Sequence, residues 1–480
     1  MDAEQCREHL ERFIGSPATV NTLALFYGRR RIGKSTLLAD LTAERQGFYW
    51  EATRAESAVH LGRLGDALGA HLKVGRLRFD TWEEAVGRMV QIASDRAAPV
   101  VIDEFGYLLE ADPGIDSVVS TVLGPVGKRT YPGRARLILC GSAIAMMRSL
   151  TGGEAPLRGR SALELVMQPF DFRMAARQLL PGADWRLAAR VYAVIGGVIG
   201  YATDMVDHDL PATLADFDRW IAARVLSPAA TLHHEATTLL AEDPTLSSAS
   251  PTMHHSILGA IANGAVTAGT IANQLRRSVP SIDPALKRLI AAGFVVRHTD
   301  PVREQRPTYA LADPFLQFHY AVLEPNRSFL RDRDPAAVWE RKLSATFDSL
   351  VRGPVFEEQA RAWVRRYADS PTLEVTAELV GPSTVNFEGK DHQLDVVVAT
   401  GAGSPASERT VHAVGEAKAG ETVGTGHLRR LEKARAALGT RAAHAKLMLF
   451  GTGFTPEVES EAERRSDVEL IGLDRLYGGA

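Results

Sequence analysis

Residues 22–38 read TLALFYGRRRIGKSTLL: an apolar run, a loop opened by Gly28 and closed by Gly33, then Lys34, Ser35 and the start of a helical pattern. No other stretch constrains the chain as tightly. The spacing G-x-x-x-x-G-K-[ST] lets backbone N–H groups converge on a phosphate, which needs a loop that side chains do not obstruct. Gly28 and Gly33 supply that freedom. Lys34 brings a point charge for the β- and γ-phosphates, Ser35 a hydroxyl for Mg²⁺, and the following helix an N-terminal dipole aimed at the anion. Arg29, Arg30, Arg31, Ile32 and Thr36 complete the expected cradle. Leu23–Tyr27 reads as a buried strand directly before the loop and Ser35–Ala43 as a helix directly after it, and this context predicts nucleotide binding rather than a plain Gly-rich turn.

The segments that follow alternate between strand and helix patterns: Gly47–Glu51, Trp82–Ser94, Pro99–Asp103, Ile115–Val126 and Leu137–Cys140. Such alternation predicts an α/β fold with a parallel sheet covered by helices. The strand PVVID ends in Asp103, with Glu104 next, where the carboxyl edge of a sheet would lie and where ligands bind. Two adjacent acids there are costly unless they meet a cation, so Asp103 is expected to partner Mg²⁺ and Glu104 to orient water. Ser142 follows the next strand, at the place for a γ-phosphate sensor. Arg158 and Arg160 flank Gly159 before the strand-like run Ser161–Met167, and either could stabilise a transferring phosphoryl group or simply lie on the surface.

At 480 residues and 45% hydrophobic content the chain is too long for one core, and two to four domains are expected. Its two cysteines cannot build a disulfide framework or a multi-thiolate metal site, and Cys140 reads as a small core residue. The formal net charge of −3 neither demands nor excludes nucleic acid. The polar opening MDAEQCREHLER and the glycine-interrupted run Val191–Ala202 predict a cytoplasmic protein with no membrane partner.

FYGRRRIGKSTLL, VVIDEF, LILCGSAIAMM and LRGRSALELVMQPF together resemble the archaeal-type ATPase family of P-loop proteins, a relative of the AAA+ and STAND ATPases. The triple arginine inside the cradle is a mark of that family. The resemblance covers nearly the whole chain, since the family often continues into a winged helix and a nuclease-like domain. It implies ATP as ligand, Mg²⁺ as cofactor and ATP hydrolysis as the activity. This chain departs from the family in two places. Only Arg7, Glu8 and Leu10 suggest the usual Arg-Glu box near the adenine, and Gly196–Tyr201 (GGVIGY) lacks the family's proline.

Residues 1–168 are thus expected to form the P-loop ATPase domain and 169–243, rich in Ala, Leu and Arg at helical spacing, a helical lid. Asp243–Pro251 reads as a loop or boundary. Within 244–325, helices over Ser256–Ala262, Thr270–Leu275 and Ser281–Ala291, followed by two strands around a basic loop, predict a winged helix-turn-helix. Its third helix would enter a major groove, with Arg276, Arg277, Lys287 and Arg288 on phosphates. Double-stranded DNA is therefore a candidate partner, against the alternative of a pure packing module. A second copy of the chain is another candidate partner. The pairs His233-His234 and His254-His255 point about 100° apart on a helix, so they are expected on solvated helix faces rather than at a metal.

In 338–480, helices over Trp339–Leu350 and Pro354–Tyr367 precede strand-like His392–Ala399 and Thr410–Lys418. A hairpin joining those strands would gather Asp395, Glu416 and Lys418, with Glu416 and Lys418 on one face. Two carboxylates that hold a metal and a lysine that positions or deprotonates water make a phosphodiester-cleaving set. This resembles the PD-(D/E)XK nuclease superfamily and implies a restriction-endonuclease-like α/β domain, with Glu357 matching the helix glutamate often added to the metal site. The expected function is a Mg²⁺-dependent ATPase whose nucleotide state is coupled to this module. Two alternatives stand beside it: a nucleotide-gated switch with negligible turnover and a docking domain, and an ATP-licensed nuclease. Glu104 favours turnover, and intact Asp395, Glu416 and Lys418 favour cleavage over docking.

Overall fold

The computed structural model describes the whole chain except Ser94, Ser248, Ala249, Gln305, Asp369 and Ala480, so the end of the expected helix Trp82–Ser94 and the middle of the boundary Asp243–Pro251 lie outside the described residues. Five strands, β1 (Thr22–Gly28), β2 (Phe48–Glu51), β3 (Ala98–Asp103), β4 (Ala135–Gly141) and β5 (Ser161–Met167), form a parallel sheet in the order β2-β3-β4-β1-β5. The expected α/β class with a parallel sheet is what the chain adopts.

Both faces of this sheet are buried, which is why β1 reads as continuously apolar. Ala24 and Phe26 point to one layer, with Cys6 and Leu10 of the helix Ala3–Ile14 and Leu38 and Leu41 of the helix Lys34–Glu44. Leu23, Leu25 and Tyr27 point to the other, with Leu64 and Leu68 of the helix Ser57–Leu72 and Val86 and Met89 of the helix Trp82–Val90. Each fully buried leucine, valine, methionine or phenylalanine among them contributes about 1.5–3 kcal/mol. The helix expected over Ile115–Val126 stops at Val122, because Gly124 and Pro125 follow and a proline cannot continue the ladder.

Helices Phe172–Leu179, Trp185–Ile195, Leu214–Ile221 and Leu232–Glu242 occupy the stretch expected to be a lid. Three more, Pro251–Ala262, Ala268–Gln274 and Val279–Ala291, precede an antiparallel hairpin of β6 (Val295–His298) and β7 (Thr308–Leu311). One apolar core runs from Cys6 through these helices to Tyr477, a second lies on the other face of the parallel sheet, and a third lies mostly within the last third of the chain. Among the described residues no helix is long and apolar enough to cross a membrane.

The last third holds a mixed sheet in the order β12-β11-β10-β9-β8, built from β8 (Leu379–Phe387), β9 (Lys390–Thr400), β10 (Thr410–Lys418), β11 (Lys446–Gly451) and β12 (Val468–Ile471). The strands β8, β9 and β10 pair antiparallel, and β10, β11 and β12 parallel. Trp363 of the helix Gly353–Arg366 packs edge-on against Phe450 on one face, and Leu428 and Leu431 of the helix Thr425–Ala437 join the core on the other. This region returns to the helices Phe172–Leu179 and Trp185–Ile195: Arg173 donates to the carbonyls of Leu476 and Arg475 at 2.6 and 2.8 Å, and Tyr477 stacks on Trp185.

The histidines correct an expectation. His233 and His254 are 2% and 1% exposed, on the inward sides of their helices, and His319 is equally buried. Burial holds His319 far below its ordinary value, at about 3, with the Arg327 charge acting in the same direction. The unfolded chain takes up this proton near 6.5, so the unfolded state binds more protons between those values. Stability then falls as pH falls through that window. In urea titrations, His319→Gln is expected to lose less stability between about pH 7 and about pH 5 than the natural chain, and equal losses would assign the acid sensitivity elsewhere.

Candidate nucleotide site and C-terminal acidic site

The loop after β1 is shaped by its glycines. A Cβ at Gly28 would stand 2.3 Å from the Met167 carbonyl oxygen of β5, and Gly33 has φ of +92°, a turn that favours glycine. Lys34 opens the following helix, is buried, and donates from Nζ to the Arg29 carbonyl at 2.8 Å. Neighbouring strands end at the same edge, so Asp103, Glu104 and Ser142 line up with the loop. Asp103 accepts from the Tyr49 hydroxyl at 2.6 Å and from the Glu104 N–H at 2.8 Å. Burial pushes its carboxyl up, but hydrogen bonds from Cys140, Tyr49, Ser35 and the Glu104 N–H outweigh burial and hold it below the ordinary range. Cys140 is thus more than core filler; burial and the Asp103 charge push its thiol well up. Glu104 adopts a left-handed φ of +49°, uncommon for a side chain with a Cβ, and accepts from Ser142 Oγ at 2.9 Å.

These residues fit a magnesium nucleotide. The Ser35 hydroxyl meets an ionised Asp103, which suits a cation that takes one or two carboxylates plus phosphate oxygens. The two arginines expected near the phosphoryl group are not brought to the loop. Ser161 pairs with Leu23 at the amino end of β1, which places Arg158 and Arg160 at the opposite edge of the sheet, and Arg158 donates to the Gly153 carbonyl.

The three loop arginines reach away from the sheet. Arg29 pairs with buried Asp313 at 2.8 Å and lies 5.6 Å from the Phe294 ring centroid. Arg30 contacts Glu242, and Arg31 pairs with Glu235 at 2.8 Å. Burial raises the Glu235 carboxyl, opposed by Arg31. The GGVIGY stretch fits beneath: the Gly200 N–H donates to the Arg31 carbonyl at 2.9 Å, and the Tyr201 hydroxyl reaches Asp313 at 3.3 Å. Sequence reasoning missed Tyr49, Glu235, Glu242 and Asp313, none of which carries a local motif.

In the C-terminal sheet, β9 and β10 bring Asp395 beside Glu416, and Asp395 Oδ2 accepts the Ala417 N–H at 2.9 Å. Lys418 Nζ lies 2.9 Å from Glu416 and 4.0 Å from Asp395, and Arg430 of the helix Thr425–Ala437 also contacts Glu416. Burial opposes the Lys418 charge, but the two acids outweigh it and raise its pKa, so the ammonium is kept charged and suits positioning rather than deprotonation. The expected three-carboxylate metal set is corrected. Arg361 takes the Asp395 carbonyl and Glu358 and approaches Glu357 at 3.9 Å, while burial and the Asp395 charge raise the Glu357 carboxyl. Among the described residues no group of three or more His, Cys, Asp or Glu side chains is gathered to hold a metal ion. As arranged, Glu357, Asp395 and Glu416 form an ion-paired network rather than an open cage. Arg276, Arg277, Lys287 and Arg288 all stand at the surface, with Lys287 paired to Asp283 at 2.7 Å.

No family model matches the chain. It is similar to the uncharacterized protein MJECL04 of Methanocaldococcus jannaschii, 26% identical over 345 residues that span 71% of this chain and 72% of that protein. Among solved structures it is similar to the Walker-type ATPase PABY2304 of Pyrococcus abyssi, with a TM-score of 0.48, 21% identity and coverage of 67% of this chain and 94% of that one. The ORC2 protein of Aeropyrum pernix, solved as ADPNP–ADP complexes, gives a TM-score of 0.41 at 15% identity, covering 68% of this chain and 93% of that one.

The contact between the loop and the GGVIGY stretch is testable. A Cβ at Gly200 would stand 2.7 Å from Arg31 Cβ and 3.0 Å from its carbonyl oxygen. Gly200→Ala is expected to cost about 1–3 kcal/mol in chemical denaturation. An unchanged midpoint would mean that the loop moves aside freely.

Proposed function

We propose that this chain binds ATP with Mg²⁺ at Gly28–Thr36 and hydrolyses it, and that the nucleotide state is passed to the C-terminal module. The observation that carries this reading is the alignment of Lys34, Ser35, Asp103, Glu104 and Ser142 along one sheet edge, with Asp103 held ionised beside Ser35. Bound with the nucleotide, magnesium would neutralise charge on the β- and γ-phosphate oxygens. The loop N–H groups and Lys34 bind the phosphates, Ser35 and Asp103 hold the cation, and Ser142 fixes the Glu104 carboxylate. Glu104 then orients the attacking water and takes its proton, while its left-handed backbone keeps it at the head of the helix Phe105–Ala111.

Lys34→Ala is expected to abolish calorimetric ATP binding, since the lysine supplies phosphate charge. Glu104→Gln should keep ATP bound while turnover falls by about 100-fold or more. Retained ATP binding in the first variant, or full turnover in the second, would move these residues out of the mechanism.

For the C-terminal module the reading is a nuclease-like domain that acts on DNA, supported by the Asp395–Glu416–Lys418 cluster on paired strands. Asp395 and Glu416 are the remaining two-carboxylate candidates for a divalent ion, and Lys418 the charge beside the scissile phosphate. The purified chain with Mg²⁺ or Mn²⁺, with and without ATP, should cut single- or double-stranded DNA, and Asp395→Ala, Glu416→Ala and Lys418→Ala should each stop it. The absence of cleavage by the natural chain under every condition would leave the domain a docking module.

A further inference from the structure

Three consecutive loop residues, Arg29, Arg30 and Arg31, are held by acids that lie outside the loop, and the three pairs differ in what reaches them. The Arg29–Asp313 pair is sealed, with side chains 11% and 1% exposed. Arg31 meets a Glu235 that is 3% exposed. The Arg30–Glu242 pair is open on both sides, at 30% and 33%. It also lines one cleft with Glu104 and Ser142, the residues assigned to the γ-phosphate and its attacking water.

Helix stability does not explain Glu242. It is the last residue of the helix Leu232–Glu242, where the negative end of the macrodipole disfavours an acid. Its neighbour Asp243 is accounted for, since it accepts from the Thr245 N–H and hydroxyl and starts the next turn. Glu242 makes its contact with Arg30 instead. A third phosphate placed between Lys34, Glu104 and Ser142 would enter the field of two carboxylates, Glu104 and Glu242, and would compete with Glu242 for Arg30. A diphosphate ends before that space and leaves the pair alone.

We propose that Glu242 is a specificity-determining residue that makes the nucleotide site discriminate against the third phosphate. Built on the reading that Gly28–Thr36 bind nucleotide, it has the closed arrangement take a nucleoside diphosphate with Arg30 still on Glu242. A nucleoside triphosphate draws Arg30 away and thereby frees the last turn of the helix Leu232–Glu242, while Arg31 still holds Glu235 in its first turn. The sealed Arg29–Asp313 pair and the Arg31–Glu235 pair stay intact in both states, so release is confined to the end of that helix and the turn after it.

Calorimetry with Mg²⁺ and either ADP or ATPγS tests this on the natural chain and on Glu242→Gln, which keeps the shape and removes the charge. The natural chain is expected to bind ADP more tightly, and Glu242→Gln to tighten ATPγS by about tenfold while ADP changes by less than about twofold. An ADP-to-ATPγS ratio unchanged by the substitution overturns the proposal and leaves nucleotide binding standing. Failure of the natural chain to bind either nucleotide overturns both. Should the variant not fold, hydrogen exchange on the natural chain decides. Faster exchange in 239–243 with ATPγS than with ADP supports the proposal, and identical exchange there overturns it.

Discussion

The buried carboxylate of Asp313 is the point at which the loop after β1 is tied to the helices beyond the sheet. It accepts from Arg29, from the Tyr201 hydroxyl and from the Phe315 N–H, and so joins the loop after β1, the GGVIGY stretch and the helix Pro314–Phe318 at one point. A carboxylate 2% exposed as a residue is tolerated only when paired and hydrogen-bonded, and removing one partner typically costs 3–5 kcal/mol or about that. Gly196 belongs to the same joint. It has φ of +59°, and a Cβ there would stand 3.1 Å from Asp313 Oδ1 and 3.0 Å from Pro314 Cδ. The loop is thereby fixed from the side of the helices as well as from the sheet.

A different balance holds the C-terminal site. Glu416 is 1% exposed and faces Lys418 and Arg430, and its Oε2 has no hydrogen-bond partner among the described residues. Two cations against two acids leave this cluster near neutrality, which is the cheapest way to keep buried carboxylates on adjacent strands. A divalent ion entering there would compete with charges already in place. The candidate nucleotide site is arranged the other way, with the Asp103 carboxylate satisfied by neutral donors from Tyr49, Ser35 and Cys140 and its charge left uncompensated by any of them.

Much of this was legible in the sequence, and the reason is local. The β1 run, the two glycines and the acids ending β3 are contiguous signals, and they lie where the pattern placed them. Interactions between distant residues are a different matter. Arg31 and Glu235 are 204 positions apart, and a glutamate on a helix looks the same whether it faces water or a buried arginine. The strand Leu379–Phe387 was not among the expected elements, and Gly381 and Pro382 interrupt its apolar pattern. They sit at a shift in register, where a Cβ on Gly381 would come within 2.6 Å of the Thr299 carbonyl oxygen. The histidine pairs misled for the same reason as the glutamates, because helical phase alone does not say which side another helix covers.

The anchoring of Arg173 has a consequence for the order in which the molecule can be assembled. Its guanidinium lies 4.0 Å from the Tyr367 ring centroid and ends on carbonyls 302 and 303 positions further along the chain. Ordering such a contact means closing a very long loop, and the gain arrives only after the intervening segments have found their places. The helix Phe172–Leu179 therefore receives its last partners from the helical turn Asp474–Gly478 that follows the mixed sheet. During synthesis the loop after β1 and its sheet can form early, while the layer above them waits for residues made last.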